Sequence, residues 1–379
     1  MPKKNSSSNI YHSIKKHPFI LLVGGLMTII WMALIFNTFQ TYEAQKQNLL
    51  NVREDILVSS QSSILAMYEK FSNFIYKAII ENPEVLSIMD QSTNASEEEA
   101  MALRKELQHQ LGDIYDIAVS YDFRQLHFHT VDGRSFYRFH APEKYGDSLA
   151  DIRESIRIVS TEKRYVTGFE EGRIFNGYRF VYPLFQDGHY VGSVEISISM
   201  ESLVNVLSST YKNNDIGFIL KRSVMEDTVF SEEQSRYEVS LVSEDYVRDK
   251  EVFKNFQQNP FGLQLFDDPL FLEKLRSVTK DHLSQGESFS TTITHEGDMI
   301  VLHYHALKAI SGNPVAYVFM MGKSNQLYQL KLYRNMMVLV ISIIYFLLWL
   351  GILYMNKYKN KLTNMAMRDQ LTQIYNRHS

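Results

Sequence analysis

The residues of this 379-residue chain that could recognise a charged molecule lie in short alternating runs. Alternation of the strand type puts Phe136, Arg138 and His140 on one side and Tyr137 and Phe139 on the other. It groups His127 with His129, and sets Ser193, Glu195 and Ser197 against Val194, Ile196 and Ile198. Arginine offers a planar fork to a carboxylate, and aspartate or glutamate can hold an ammonium. A sheet with one such polar face under a cover of helices makes a half-buried recognition cavity. His127 with His129, and His303 with His305, stand two apart and would turn two imidazoles the same way, as a metal site requires. Neither pair has a cysteine or a well-spaced carboxylate to complete it, so ordinary strand histidines, and no metal, are expected. No Ser-His-Asp set, glycine-rich phosphate loop or nucleophile elbow accompanies them, which argues against catalysis here.

The elements that must position these residues lie between two apolar runs. Phe19 to Phe36 has 18 residues without a charge and Met336 to Met355 has 20, close to the ~20 needed to cross ~30 Å of hydrocarbon. The first run follows a basic leader but exceeds the ~7–15 residues of a signal-peptide core, so an uncleaved anchor is expected. Lys3, Lys4, Lys15 and Lys16 place the N-terminus in the cytoplasm by the positive-inside bias. Two spans return the C-terminus to that side, in agreement with Lys357, Lys359, Lys361 and Arg368, although Lys323, Lys331 and Arg334 flank the other end. Residues from about 40 to 335 are then extracytoplasmic. A net charge of −4 gives no reason to expect nucleic acid, and the absence of cysteine excludes disulfides and thiol chemistry.

After the first span, Leu57, Ile64, Phe71 and Ala78, with Met67 and Phe74 between them, keep one apolar stripe on a long helix. It packs on its own domain, or also pairs with the same helix of a second copy. Strands are predicted at 123–129, 135–140, 178–185 and 190–199, and again at 216–220, 289–294, 299–306 and 315–322, the second set around helical stretches near 245–285. A helix is predicted to open at Asp147 or Ser148, with Leu149, Ile152, Ile156 and Val159 on one face. The expected layout is α/β of the α+β kind. It comprises a cytoplasmic tail (1–18), a span (19–39), a long helix (40–83), two antiparallel-sheet modules (84–210 and 211–325), a second span (336–355), a signalling helix (356–368) and a last stretch (369–379).

One long helix and two α/β modules enclosed by two spans resemble the double Cache receptors, whose modules are PAS-like. The segments from Leu126 to His129, Ser135 to Asp147, Gly168 to Gly172, Tyr178 to Pro183 and Gly192 to Glu195 resemble the membrane-distal half of that group, found in bacterial kinases, chemoreceptors and cyclases. The charged groups of the polar face imply a small charged metabolite as ligand, and the resemblance points to where it would bind. The resemblance selects Arg138, His140, Tyr145, Asp147, Glu170, Arg179 and Tyr182 as ligand-binding candidates. Alternatively, Arg138, Asp147, Glu170 and Arg179 pair with one another and fix loops.

The end of the sequence, Asp369-x-Leu371-Thr372-x-x-x-Asn376-Arg377, resembles the opening helix of the GGDEF diguanylate cyclase domain, here cut off before its signature loop. That resemblance implies an output domain that makes cyclic di-GMP from GTP with Mg, and assigns Asn376 a contact to guanine. This chain itself needs no cofactor and cannot be active as given. Met355, Tyr358, Leu362 and Met365 would continue the second span as a two-stranded stalk, or as a juxtamembrane helix whose lysines meet anionic lipid. A homodimer in the bacterial inner membrane, embedded in the lipid bilayer, is the expected assembly. The rival outputs are a chemoreceptor or a histidine kinase, and a further rival is a stand-alone truncated binding protein.

Overall fold

The computed structural model describes residues 18–256 and 265–367. The chain divides into two units, residues 50–324 and the remainder.

In the larger unit, helix α1 (Pro18–Ile75) buries Leu57, Gln61, Leu65, Tyr68, Ser72 and Ile75, a three-four spacing that forms one stripe. The expected heptad stripe therefore splits. Leu57 is buried, whereas Met67, Phe71 and Phe74 are 53%, 44% and 60% exposed. A π-helical turn, Tyr76–Ile80, ends the run. Helix α2 (Pro83–Ser92) restarts the chain because Asn82 accepts hydrogen bonds from the Glu84 and Val85 amides and Pro83 sits in the first turn. A Ser96–Glu99 capping box opens α3 (Glu97–Ser120).

The distal sheet comprises β1 (Phe123–His129), β2 (Ser135–Arg138), β3 (Val166–Glu171), β4 (Asn176–Gln186) and β5 (His189–Ser199). It is antiparallel, in the order β2-β1-β5-β4-β3. Its register places Glu195 opposite His127 and Val181, Ser197 opposite Gln125 and Arg179, and Arg138 opposite His127. Residues directly opposite share a face, so one polar row crosses the sheet. The other face, with Leu126, Phe128, Phe180, Tyr182, Val194 and Ile196, joins α1 to α3 in a single core.

Helix α4 (Glu154–Glu162) covers the polar side and begins later than expected, with Arg153 in the cap position instead of Asp147 or Ser148. The backbone before it is engaged elsewhere. Ser135 N–H donates to Asp147 O, Gly146 N–H to Ser135 O and Leu149 N–H to Gly133 O, which straps this stretch along the β1–β2 hairpin. Ile152 is consequently 38% exposed, and Leu149, Ile156, Ile158 and Val159 pack on Val166 and Val181.

The proximal module follows α5 (Met200–Thr210) and opens with β6 (Asp215–Lys221). It continues through α6 (Arg222–Thr228), β7 (Tyr237–Val239), β8 (Tyr246–Asp249), α7 (Lys250–Phe256) and α8 (Pro269–Gln285). Strands β9 (Phe289–His295), β10 (Asp298–Lys308) and β11 (Pro314–Lys323) complete an antiparallel sheet of order β7-β8-β6-β11-β10-β9. Strands β3, β7 and β8 were not expected, and β8 occupies the start of the stretch read as helical. A bridge between Phe169 and Ala309 joins the two sheets. Beside it, Gly168 has φ +154°, and a Cβ there would lie 2.8 Å from Ile310 Cγ1, so the close approach requires glycine.

The second unit holds the first part of α1 and helix α9 (Asn325–Met367), each long and apolar enough to cross a membrane. Thr28 and Tyr345 hydroxyls lie 2.9 Å apart, and Trp31 stacks on Tyr345 with centroids 5.2 Å apart. Gly24 lies so close to the Trp349 ring that a Cβ would come within 2.4 Å of it, the small-residue contact common between membrane helices. The tail before residue 18 and the residues read as the GGDEF opening, Asp369, Leu371, Thr372 and Asn376, lie outside the described residues. Phe180→Ala, at a fully buried position, is expected to cost about 3–5 kcal/mol. Ile117→Ala, at an exposed one, should stay within about 0.5 kcal/mol; denaturant unfolding of the detergent-solubilised chain measures both.

Candidate functional site

The polar row converges on Glu195, whose side chain is wholly buried. One carboxylate oxygen accepts from Arg179 at 2.6 Å and the other forms an ion pair with Arg153 at 2.7 Å. Arg153 also reaches Glu170 at 2.8 Å, and Glu170 in turn accepts from the Ser155 amide at 2.9 Å, holding the first turn of α4. Arg179 further donates to Gln125 and to Ser197, the latter at 3.2 Å. Arg138 grips Asp147 through two parallel bonds of 2.9 Å each, and Arg173 approaches the same carboxylate at 3.6 Å. Three buried arginines thus meet three carboxylates, the balance that burial of charge demands.

The electrostatics follow from this packing. Burial pushes the Glu195 carboxyl up, but Arg153 and Arg179 together hold it far below the usual carboxylate range. Arg153 is disfavoured by burial and favoured more strongly by Glu195 and Glu170, so its charge is locked in. Burial lowers His129 and His140 to about 3, against the opposing pull of Glu195, and lowers His127 well below its ordinary value. All three imidazoles are neutral at physiological pH.

Glu195 corrects the sequence expectation for His127 and His129. The three residues bring ligand atoms within 4.8 Å of one another, so a carboxylate does stand beside this pair. It does not make a metal centre, because both carboxylate oxygens are taken by guanidinium groups. His127 Nε2 meets Ser135 Oγ at 2.9 Å and His129 Nδ1 meets Ser193 Oγ at 3.0 Å. A cation would also face Arg138 and Arg153.

The cavity between these groups is lined by Gln125, His127, Arg138, His140, Arg153 and Arg179 and measures about 20 Å³, room for about one water. Of the seven candidates, Arg138, His140, Asp147, Glu170 and Arg179 come together around it. Tyr182 does not. It faces the helices, bonded to Ser72 at 2.8 Å and stacked on Tyr76 and Tyr165, as its even number on β4, opposite in parity to Arg179, required. Tyr145 is 40% exposed, with Arg104 lying 3.8 Å above its ring. The pairing alternative holds in altered form, with Arg138 on Asp147 but Glu170 and Arg179 bound to Arg153 and Glu195. Sequence reasoning missed Arg153 and Glu195 as members of the site. The alternation around Glu195 was a usable signal, whereas a lone arginine before a helix gave none.

A second buried acidic group lies where the modules meet. Glu171, on β3, takes a bond from Tyr237 Oη at 3.3 Å, and Asn176 links Tyr237 at 2.9 Å to Asp249 at 3.1 Å. Burial, only partly opposed by Arg179 and Tyr237, lifts the Glu171 carboxyl to about 8.

A long helix followed by two antiparallel sheets makes a fold like that of the double Cache domains. Residues 53–221 match the model of the dCache_3 family, the double sensory domain of two-component sensor kinase. Similar solved structures include the sensor domain of the V. cholerae histidine kinase DctB, at 12% identity over 74% of this chain and 100% of that one, TM-score 0.38. The sensory domain of the Campylobacter jejuni chemoreceptor Tlp3 with isoleucine bound is 12% identical over 76% of this chain and 98% of that one, TM-score 0.39. A domain described as from a sensory box/GGDEF family protein of Vibrio parahaemolyticus is 13% identical over 78% and 99%, TM-score 0.36. Among curated proteins no match is found.

Glu195→Ala leaves two buried arginines without their partner and is expected to cost about 3–5 kcal/mol. The two carboxyls give opposite pH signatures. Glu195, depressed in the fold, contributes stability above its unfolded value of about 4.3 that is lost as pH falls below it. Glu171, raised to about 8, binds a proton that the unfolded chain has already released, so native stability falls with rising pH from about 4.3 to 8. Glu171→Gln should therefore gain on the parent chain by more than about 1 kcal/mol between pH 5 and 8 and level off above, as read by unfolding at a series of pH values.

Proposed function

We propose that this chain is the sensory and transmembrane part of a two-pass protein of the bacterial inner membrane. It reads a small charged metabolite outside the cell membrane and regulates a diguanylate cyclase output domain that follows it. The observation that carries the sensor reading is the buried arginine–carboxylate cluster under α4, a costly arrangement in a module whose folding needs only an apolar core. A ligand bearing a carboxylate would take the fork of Arg138 from Asp147, and its ammonium would meet the carboxylate so released. That exchange would free the strap at residues 146–149 and shift α4. Tyr145 and Tyr182 are left out of this ligand shell, and Arg153 and Glu195 enter it as the groups that position Arg179 and Glu170.

The output assignment is supported by the resemblance of residues 369–377 to a GGDEF opening, with Asn376 toward GTP and Mg supplied to the domain beyond. Two features support a homodimer. Met67, Phe71 and Phe74, with Tyr121 at 5.6 Å from Phe71, form an exposed apolar patch on the sensor. Tyr358, Leu362 and Met365 form an exposed row on α9 that a second copy would cover as a stalk. Ligand binding then acts by favouring one arrangement of the paired helices over another.

A thermal-shift screen of the full chain in nanodiscs against amino acids, carboxylates, amines and purines tests the sensor. A ligand whose shift disappears in Arg138→Ala and Asp147→Ala supports the site, and one unaffected by both removes it. For the stalk, Leu362→Cys or Met365→Cys should cross-link into dimers in membranes; monomers alone would end that part of the proposal. Cyclic di-GMP formed on expression of the gene past codon 379 tests the output class.

A further inference from the structure

A pair of buried acids bridges the seam between the two modules. Glu171, the last residue of β3, and Asp249, the last of β8, are 5% and 4% exposed. Tyr237 of β7 donates to Glu171 at 3.3 Å, and Asn176 of β4 donates to Tyr237 at 2.9 Å and to Asp249 at 3.1 Å. Each of these three bonds runs from one module to the other.

The cations around the pair are committed. Arg179 of β4 attracts the Glu171 carboxyl but donates to Glu195. Arg236 lies 3.9 Å from Asp249 and donates to the Ile174 carbonyl. Asp249 also accepts from the Glu251 amide at 2.9 Å, whereas one oxygen of Glu171 has no partner among the described residues. The other charged groups of the neighbouring elements are engaged elsewhere. Arg153 holds Glu170 and Glu195, Arg248 pairs with Glu238, Arg124 lies over Phe175 and Lys250 donates to the Ser235 carbonyl. Arg222 of α6 lines a different cleft with Asp245, and Glu226, Asp227 and Lys308 are exposed. A buried carboxylate needs a partner for its charge, and Arg236 serves only Asp249. Glu171 is therefore the acid that keeps its proton, in line with the rise that burial gives it.

The part of the proximal sheet that carries Tyr237 and Asp249 is lightly held. Strands β7 and β8 form an edge hairpin joined to β6 through two residue pairs, Leu220 with Val247 and Lys221 with Tyr246. Further in, Phe169 meets Phe218 with ring centroids 5.8 Å apart and ties the sheets by an apolar contact that no proton affects.

We propose that this seam is a proton-operated joint: protonated Glu171 keeps the β7–β8 hairpin on the distal module, and loss of the proton sets two negative charges in a buried contact and releases it. The hairpin leads directly into α7. The stretch before it donates Phe230 N–H to Arg173 O at 2.9 Å, and Arg173 and Ile174 line the cavity under α4, so release reaches the wall of that cavity. The joint stands whether or not the arginine cluster binds a ligand.

The chain has no cysteine, so nitroxide labels at Lys105→Cys on α3 and Val239→Cys on the hairpin, both exposed, give the distance across the seam by electron spin resonance of the full chain in nanodiscs. With Glu171 raised to about 8, attachment is strongest below about 4.3, and each pH unit from there to about 8 moves the ratio of attached to released hairpin up to about tenfold toward release. The population of longer distances should rise over that range and level off above it. It should stay low throughout in Glu171→Gln, and level off at a lower pH in Asp249→Asn, which removes the like charge. A second pair, Lys105→Cys with Thr294→Cys on β9, should not move, which separates release of the hairpin from unfolding. A distance unchanged between pH 5 and 9.5, a transition that survives Glu171→Gln, one that Asp249→Asn does not shift, or an equal change in the second pair would each overturn the proposal.

Discussion

The distal module is organised around one carboxylate. Glu195 sits at the centre of the sheet with an arginine on each oxygen, and those two arginines arrive from different parts of the chain: Arg179 from β4 and Arg153 from the cap of α4. Removing a carboxylate from water is expensive, and the attraction of its partners offsets that cost only when every remaining bond is made. This requirement fixes the register of β1, β4 and β5, because Gln125, Arg179 and Ser197 must sit at matching positions to complete the shell. It also fixes α4, since the Arg153 that serves Glu195 serves Glu170 as well, and Glu170 holds the first turn of that helix. An apolar core would have been simpler to build. A charged one ties the cover of the sheet to its arginines, so that α4 and the sheet are held by the same groups.

Much of this was legible in the sequence, and the pattern of what was not is instructive. Strand β1 was read with its observed limits, and β4, β5 and β9 to β11 within about two residues, because alternation between faces is a local signal. The polar row was legible for the same reason. Tyr182 lies on the helix side of the sheet, away from the polar row, as parity alone indicated. Arg153 was invisible, because its importance comes from Glu170 and Glu195, 17 and 42 positions on. Strand β3 was hidden by Gly168 and its two glutamates, since one is spent on Arg153 and the other on the module boundary. The late start of α4 was hidden likewise, its expected cap having gone to the β1–β2 hairpin. Local chemistry was readable; commitments between distant segments were not.

Helix α1 has different dealings with the two modules. Toward the distal sheet it offers Glu69 to Tyr165 at 2.8 Å and Ser72 to Tyr182 at 2.8 Å. Toward the proximal sheet it offers Glu54 to Ser290 at 2.5 Å. These contacts are polar and specific, four or five turns apart along one rod, so a rotation of one sheet against the other must be resolved as strain or movement in the helix. Its opposite face, with Met67, Phe71 and Phe74, takes no part in them and is left for another surface.

The aromatic contacts between α1 and α9 have an optical consequence. The chain has two tryptophans, Trp31 against Tyr345 and Trp349 over Gly24, and both belong to the smaller unit. The larger unit carries none. Indole emission from the native protein is therefore silent about residues 50–324 and speaks only for the two paired apolar helices, a built-in reporter confined to one unit of the molecule.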